Sequence, residues 1–155
     1  SKSRPGNDLK APFIYRTTVR FGHTDPSATV YFPRFFEFVQ AAAEDWFNIG
    51  LGIPFANMIR ERGMGQPTAH IECDFSAPSM LGDILDIKVY LVNIGRTSFV
   101  LDFIGRTDGE LRFRARSVQV MVSFEDGRPI PLPKDIRAAM DAYMAAAPVP
   151  DSDRS

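Results

Sequence analysis

The sequence predicts an α+β domain, on three observations: one long aromatic-rich helical stretch near the N-terminus, an almost unbroken run of strand-like segments after it, and short turns joining those strands. A helix with so wide an apolar stripe needs a broad surface to lie on. Consecutive strands with short connections form an antiparallel sheet, which supplies that surface.

The elements follow in order. Phe13, Tyr15, Thr17, Val19 and Phe21 recur at period two, the signature of a strand. Gly22–Ser27 is a turn cluster, in which Pro26 pushes Asp25 away from helical dihedrals. From Pro33 to Ile49 the residues Phe35, Phe36, Val39, Ala42, Ala43, Trp46 and Phe47, preceded by Phe32, fall at three- and four-residue spacings. Pro33 suits the first helical turn and Gly50 its stop. A short helix is expected over Pro54–Arg62. Strands are then expected with Ala69, Ile71, Cys73 and Phe75 on one face, over the two-sided apolar run Ile84–Val92, and over Thr97–Arg106 and Leu111–Phe124 around the hairpin signal Asp108-Gly109. Pro133 opens a last helix carrying Ile136, Met140, Tyr143 and Met144. One domain over residues 11–146 is expected, with loose tails at 1–10 and 147–155.

Composition narrows the function. At 155 residues the chain can bury a core without a disulfide or metal staple. A formal net charge of −1 argues against nucleic-acid or anionic-membrane binding, since either needs a basic excess. Cys73 is the single cysteine, so no disulfide framework or thiolate metal cluster is expected and a reducing, cytoplasmic setting is the natural reading. No apolar run approaches the ~20 residues that cross a bilayer.

The chemistry concentrates in Phe21-Gly22-His23-Thr24-Asp25-Pro26-Ser27-Ala28-Thr29-Val30-Tyr31-Phe32-Pro33. It places one carboxylate a few residues ahead of a buried helix, whose unpaired N–H groups can receive developing negative charge. A nucleophile or base beside an oxyanion-binding helix end is what acyl transfer requires. An Asp before Pro is also what turn geometry and capping select. His23 could orient the carboxylate or a water. His23 and Asp25 alone are too few ligands for a metal, and none is expected.

This stretch resembles the signature of the 4-hydroxybenzoyl-CoA thioesterase family, aromatic-Gly-[Asp or His]-x-Asp-x-x-Gly-x-Val-Tyr, at Phe21, Gly22, His23, Asp25, Val30 and Tyr31, with Pro33 matching beyond it. The likeness extends over roughly residues 13–125, through Glu61-Arg62-Gly63, the strand from Pro67 to Phe75, Leu81-Gly82-Asp83 and Arg96-Thr97-Ser98-Phe99. It implies a hotdog fold, a five-stranded antiparallel sheet wrapped around one long central helix. It implies an acyl-CoA thioesterase with Asp25 as nucleophile or general base and the backbone N–H of Phe32 as oxyanion donor. An aromatic substrate such as 4-hydroxybenzoyl-CoA is favoured. No cofactor is needed, coenzyme A being part of the substrate. Members form edge-to-edge homodimers, often paired again as homotetramers, with the site between subunits. One departure stands out: Ala28 replaces the usual Gly, where an added methyl restricts φ.

Other candidates are weaker. Arg96, with Thr97 and Ser98, lies in the turn that in resembling enzymes helps hold the nucleotide, and Arg suits phosphate through forked contacts. Arg112, Arg114 and Arg116 share a strand face expected to meet solvent or another subunit. His70, beside Glu72 and Asp74, would touch an acyl group across a subunit boundary or be structural; Gln66 matches a pocket position. Glu37 and Glu44 are alternative helix-borne acids. Two further functions stay open: a hydratase or dehydratase using His23 with Asp25, and a non-catalytic acyl-CoA-binding module.

Overall fold

The computed structural model describes residues 12–31 and 33–154. Strand β1 (Phe13–Thr18) leads through a 3₁₀ turn (Phe21–His23) to helix α1 (Arg34–Asp45), which continues as a π turn (Trp46–Leu51). Helix α2 (Phe55–Arg60), β2 (Met64–Gly65), β3 (Thr68–Phe75), β4 (Ile84–Ile94), β5 (Ser98–Thr107), β6 (Glu110–Val120), β7 (Val122–Ser123) and α3 (Lys134–Ala146) follow. Five strands form an antiparallel sheet in the order β1-β4-β5-β6-β3, and β2 pairs with β7 in a separate ribbon. With α1 packed on its inner face, this is the expected hotdog fold.

Alternation along the strands sorts the two faces. Leu85, Ile87, Val89, Leu91, Phe99, Leu101, Phe103, Phe113 and Ala115 point inward onto the helix. The β5–β6 hairpin turns at Asp108 and Gly109, both with positive φ (50° and 82°), as a two-residue turn of this hand demands. At the bulge between Gly105 and Arg106 the Phe113 ring lies across Gly105, where a Cβ would come within 2.2 Å of it. No side chain fits there.

Helix α1 departs from the expected pattern in two ways. Its buried face carries Phe35, Phe38, Val39, Ala42 and Ala43, while Phe36, expected inward, is only half-buried. Phe38 is drawn in by the His23 ring, edge-on at 4.7 Å, and by Phe35. Gly50 does not end the helix. It lies inside the π turn against the Trp46 ring, and the chain stops at Gly52 in the left-handed region. Trp46 is fully buried among Phe47, Phe99 and Tyr143. Burying such a ring contributes on the order of 3 kcal/mol.

Helix α3 closes one end of the core. The Tyr143 hydroxyl donates to the Val89 carbonyl at 2.5 Å and accepts the Phe13 N–H at 2.7 Å, joining α3 to β1 and β4. Burial pushes this phenol up to about 12. The C-terminal segment corrects an expectation: residues 148–154, read as loose, lie against the outer face of the sheet, and Asp153 is buried. The expected N-terminal tail falls outside the described residues. No helix among them is long and apolar enough to cross a membrane.

Candidate active site

The turn after β1 holds Asp25 by local bonds. A bridge between Thr24 and Val30 closes the loop. Inside it the Asp25 N–H donates to Thr29 O and the Ala28 N–H to Asp25 O, both at 2.9 Å. This tight reversal sets Ala28 at φ 66°, in the region L-residues avoid at a cost of about 1–2 kcal/mol. The family's usual Gly would have no such strain.

Three hydrogen bonds converge on Oδ1 of the Asp25 carboxylate. They come from the Ser27 hydroxyl (2.5 Å), the Ser27 N–H (2.9 Å) and the Thr29 hydroxyl (3.3 Å). The Ser27 hydroxyl above all, then its N–H, holds the carboxyl below its ordinary value of 3.8, so it is ionised at neutral pH. Asp25 itself lines a cleft of about 460 Å³ together with Phe21, Thr24, Pro26, Ala28 and Leu81. The Phe21 ring is 81% exposed.

A second loop builds the far wall. Thr29 bridges to Met80, Val30 N–H donates to Ser79 O, and Leu81 N–H donates to Ala28 O. This loop is clamped to β6 by Arg112, whose guanidinium donates to Asp83 Oδ2 (2.6 Å), Pro78 O (2.9 Å) and Glu110 (2.8 Å). Arg112 was expected on an open face with Arg114 and Arg116. It is instead largely buried, a positioning group for the cleft wall. Ser27, Thr29 and Arg112 carried no sequence signal beyond their neighbours. Only the Leu81-Gly82-Asp83 motif pointed to this loop.

The remaining candidates lie elsewhere. His23 does not orient Asp25: its Nδ1 accepts the Arg20 N–H at 2.9 Å and its ring packs on Phe38. An accepting Nδ1 leaves the proton of a neutral ring on Nε2. The expected oxyanion donor, the Phe32 N–H, lies outside the described residues. Arg96, Thr97 and Ser98 sit at the β4–β5 turn, and Gln66, buried, at the start of β3. That end of the sheet is opposite to Asp25, about 30 Å away along β5 at strand rise. His70 is exposed on the outer face, 3.3 Å from Glu72. Glu37 pairs with Arg34, and Glu44 with Gln40 at 3.0 Å, on the solvent side of α1. No three His, Cys, Asp or Glu side chains converge as metal ligands among the described residues.

A match to the thioesterase-like superfamily spans residues 19–140. The chain is 31% identical over 127 residues to the 4-hydroxybenzoyl-CoA thioesterase of Pseudomonas sp. strain CBS-3, covering 76% of this chain and 89% of that protein. It is 26% identical over 128 residues to the 1,4-dihydroxy-2-naphthoyl-CoA hydrolase of Synechococcus elongatus, covering 82% and 93%. A crystal structure of a 4-hydroxybenzoyl-CoA thioesterase mutant complexed with 4-hydroxybenzoyl-CoA superposes with a TM-score of 0.75 at 25% identity, covering 83% and 97%. Fold and sequence agree that the chain belongs to the thioesterase-like superfamily. It is an enzyme, a hydrolase of acyl-CoA thioesters.

Proposed function

We propose that the enzyme hydrolyses an aromatic acyl-CoA, such as 4-hydroxybenzoyl-CoA, to the free acid and CoA, with Asp25 as the reacting carboxylate. The observation that carries this reading is the setting of that carboxylate: Ser27 and Thr29 hold its Oδ1, and the residue lines the cleft formed by Phe21, Thr24, Pro26, Ala28 and Leu81. Oδ2 either attacks the thioester carbon, expelling CoA thiolate and leaving an anhydride for water to open, or takes a proton from an attacking water. The Phe32 N–H serves as oxyanion donor, a contact worth about 3 kcal/mol. The apolar walls of Phe21, Pro26 and Leu81 suit an aromatic acyl group, and the curated relatives act on aryl-CoA esters.

A second copy completes the site in this reading. Strand β3 is a sheet edge whose residues are exposed except for the half-buried Ile71 and Cys73. Such an edge invites pairing. Antiparallel pairing of two β3 strands about a two-fold axis sets the Phe75 end of one, near its Asp25 turn, beside the Thr68 end of the other. Gln66 and the Arg96-Thr97-Ser98 turn of the second copy then approach the first copy's Asp25, with Arg96 placed for a CoA phosphate. No metal or further cofactor takes part.

Thiol release measured with benzoyl-, 4-hydroxybenzoyl-, 1,4-dihydroxy-2-naphthoyl-, hexanoyl- and palmitoyl-CoA tests the reading. The aryl esters are expected to give kcat/KM at least tenfold above the aliphatic ones. Full activity in Asp25→Asn would remove Asp25 from the mechanism, and tight binding without release by the wild type would replace the enzyme with a binding module. A single turnover in ¹⁸O-water probes the route: label in the Asp25 carboxylate with unlabelled acid released marks nucleophilic attack, since general-base catalysis places the label only in the acid.

A further inference from the structure

The outer face of the sheet should be polar, yet two of its side chains are as buried as the core. Tyr90 and Ile104 are each 1% exposed. Their strand neighbours Val89, Leu91 and Phe103 point inward to α1, so alternation sends Tyr90 and Ile104 to the opposite side, and neither belongs to the helix-side core. What lies over that side is the segment 148–154, with Met144 of α3 at its base.

The segment is held at one point. The Asp153 carboxylate, with no exposed side-chain surface, meets groups from two strands: the Tyr90 hydroxyl (2.5 Å) and Lys88 Nζ (3.5 Å) of β4, and Arg106 Nη2 (2.7 Å) of β5. Arg114 Nη1 of β6 donates to the Asp153 carbonyl at 2.7 Å. Three cations and a phenol converge on one residue, seven positions beyond the end of α3. Surface ion pairs rarely restrain a chain, but a desolvated carboxylate with several donors does. The family match ends at residue 140, so the occupant lies beyond the matched stretch while the socket residues Lys88, Tyr90, Arg106 and Arg114 lie within it.

We infer that the outer face carries a carboxylate-binding socket whose occupant is the chain's own residues 148–154, and that this clasp closes the face to a second copy. With the clasp seated, Tyr90 and Ile104 are covered and two sheets cannot stack face to face there. With it released, a strip of apolar surface flanked by paired charges (Arg116 with Asp102, Arg16 with Asp86) opens on the outer face of the sheet. Assembly beyond the β3 edge then uses other surfaces while the clasp holds, and gains this one when it does not.

The test uses the full-length chain. Asp153→Ala, and independently the pair Tyr90→Phe with Arg106→Met, should raise amide exchange at Asp153 and Arg154 at least tenfold. Both should shift the sedimentation profile to a higher oligomer than the wild type. Ile104→Lys in the Asp153→Ala background should return the wild-type profile, and the synthetic peptide PVPDSDR should do the same when added to Asp153→Ala, whereas PVPDSAR should not. Unchanged exchange in Asp153→Ala would show that the socket does not hold the segment. Faster exchange with an unaltered profile would show that the segment covers no contact surface. Neither readout involves turnover, so a wrong assignment of substrate or of Asp25 leaves both outcomes legible.

Discussion

Asp25 and Asp153 are both held below the ordinary range of a carboxyl, and they reach that state by opposite means. Asp25 sits in an open turn, its partners are neutral hydroxyl and amide groups within four residues, and three of their bonds converge on one oxygen. Asp153 is buried, the partners of its carboxylate are charged or phenolic and come from two strands, β4 and β5, with Arg106 paired to Oδ1 and Tyr90 and Lys88 to Oδ2. Burial alone would raise it, but the hydrogen bonds of Tyr90 and Arg106 and the charges of Arg106 and Lys88 outweigh that. Local neutral donors leave an acid ionised at a cleft, as chemistry needs. Distant cations immobilise it, as anchoring needs.

The comparison is sharpest under charge removal. Asp25→Asn keeps size and hydrogen bonds but deletes the reactive form, so kcat should fall about 10³-fold, roughly 4 kcal/mol of barrier, with the melting temperature within a degree or two. Asp153→Asn should do the reverse. Turnover stays, while stability falls by about 1–3 kcal/mol by denaturant titration, below the ~3–5 kcal/mol of a broken interior pair because the clasp can swing away and let water reach Arg106 and Lys88. A loss of activity with intact stability in Asp153→Asn would erase the distinction.

Acid separates the two sites further. Each has a depressed carboxyl, so each contribution is complete above the unfolded value near 3.8 and fades as pH falls through the lower folded value. Ser27→Ala removes the leading cause of the Asp25 shift, and the acidic limb of kcat/KM should move to higher pH. An unmoved limb would mean that another group sets it. The smallest effect is expected at Ala28→Gly. Relief of the left-handed strain gains about 1–2 kcal/mol, and the added freedom of the unfolded chain takes back about 0.5–1 kcal/mol, leaving a net gain of up to about 1.5 kcal/mol. A melting temperature that drops would contradict the φ value at this turn.

How far the sequence could be read follows the same divide between local and distant. The sheet was legible because alternation and the Asp108-Gly109 turn are local signals, and the Asp25 turn because its motif is contiguous. The helix face was misjudged by one position: Phe35, Phe36, Phe38 and Val39 are all apolar, so spacing alone does not choose among them and His23 does. The helix end was misplaced because Gly50 serves the Trp46 ring rather than the stop. The Asp153 socket left no trace. Lys88, Tyr90, Arg106 and Arg114 lie 39 to 65 residues from it, and a short Pro-rich terminus reads as loose. Arg112 was grouped with Arg114 and Arg116 by period two, while its contacts with Asp83 and Pro78 arise only when the loop folds back.

That loop ties catalytic competence to a strand paired on both sides. Because one guanidinium on β6 fixes the wall facing Asp25, and β6 lies between two other strands, the cleft has no softer hinge through which to open early. Heat should therefore silence this enzyme in a single step, the loss of turnover and the collapse of the whole domain arriving at one temperature.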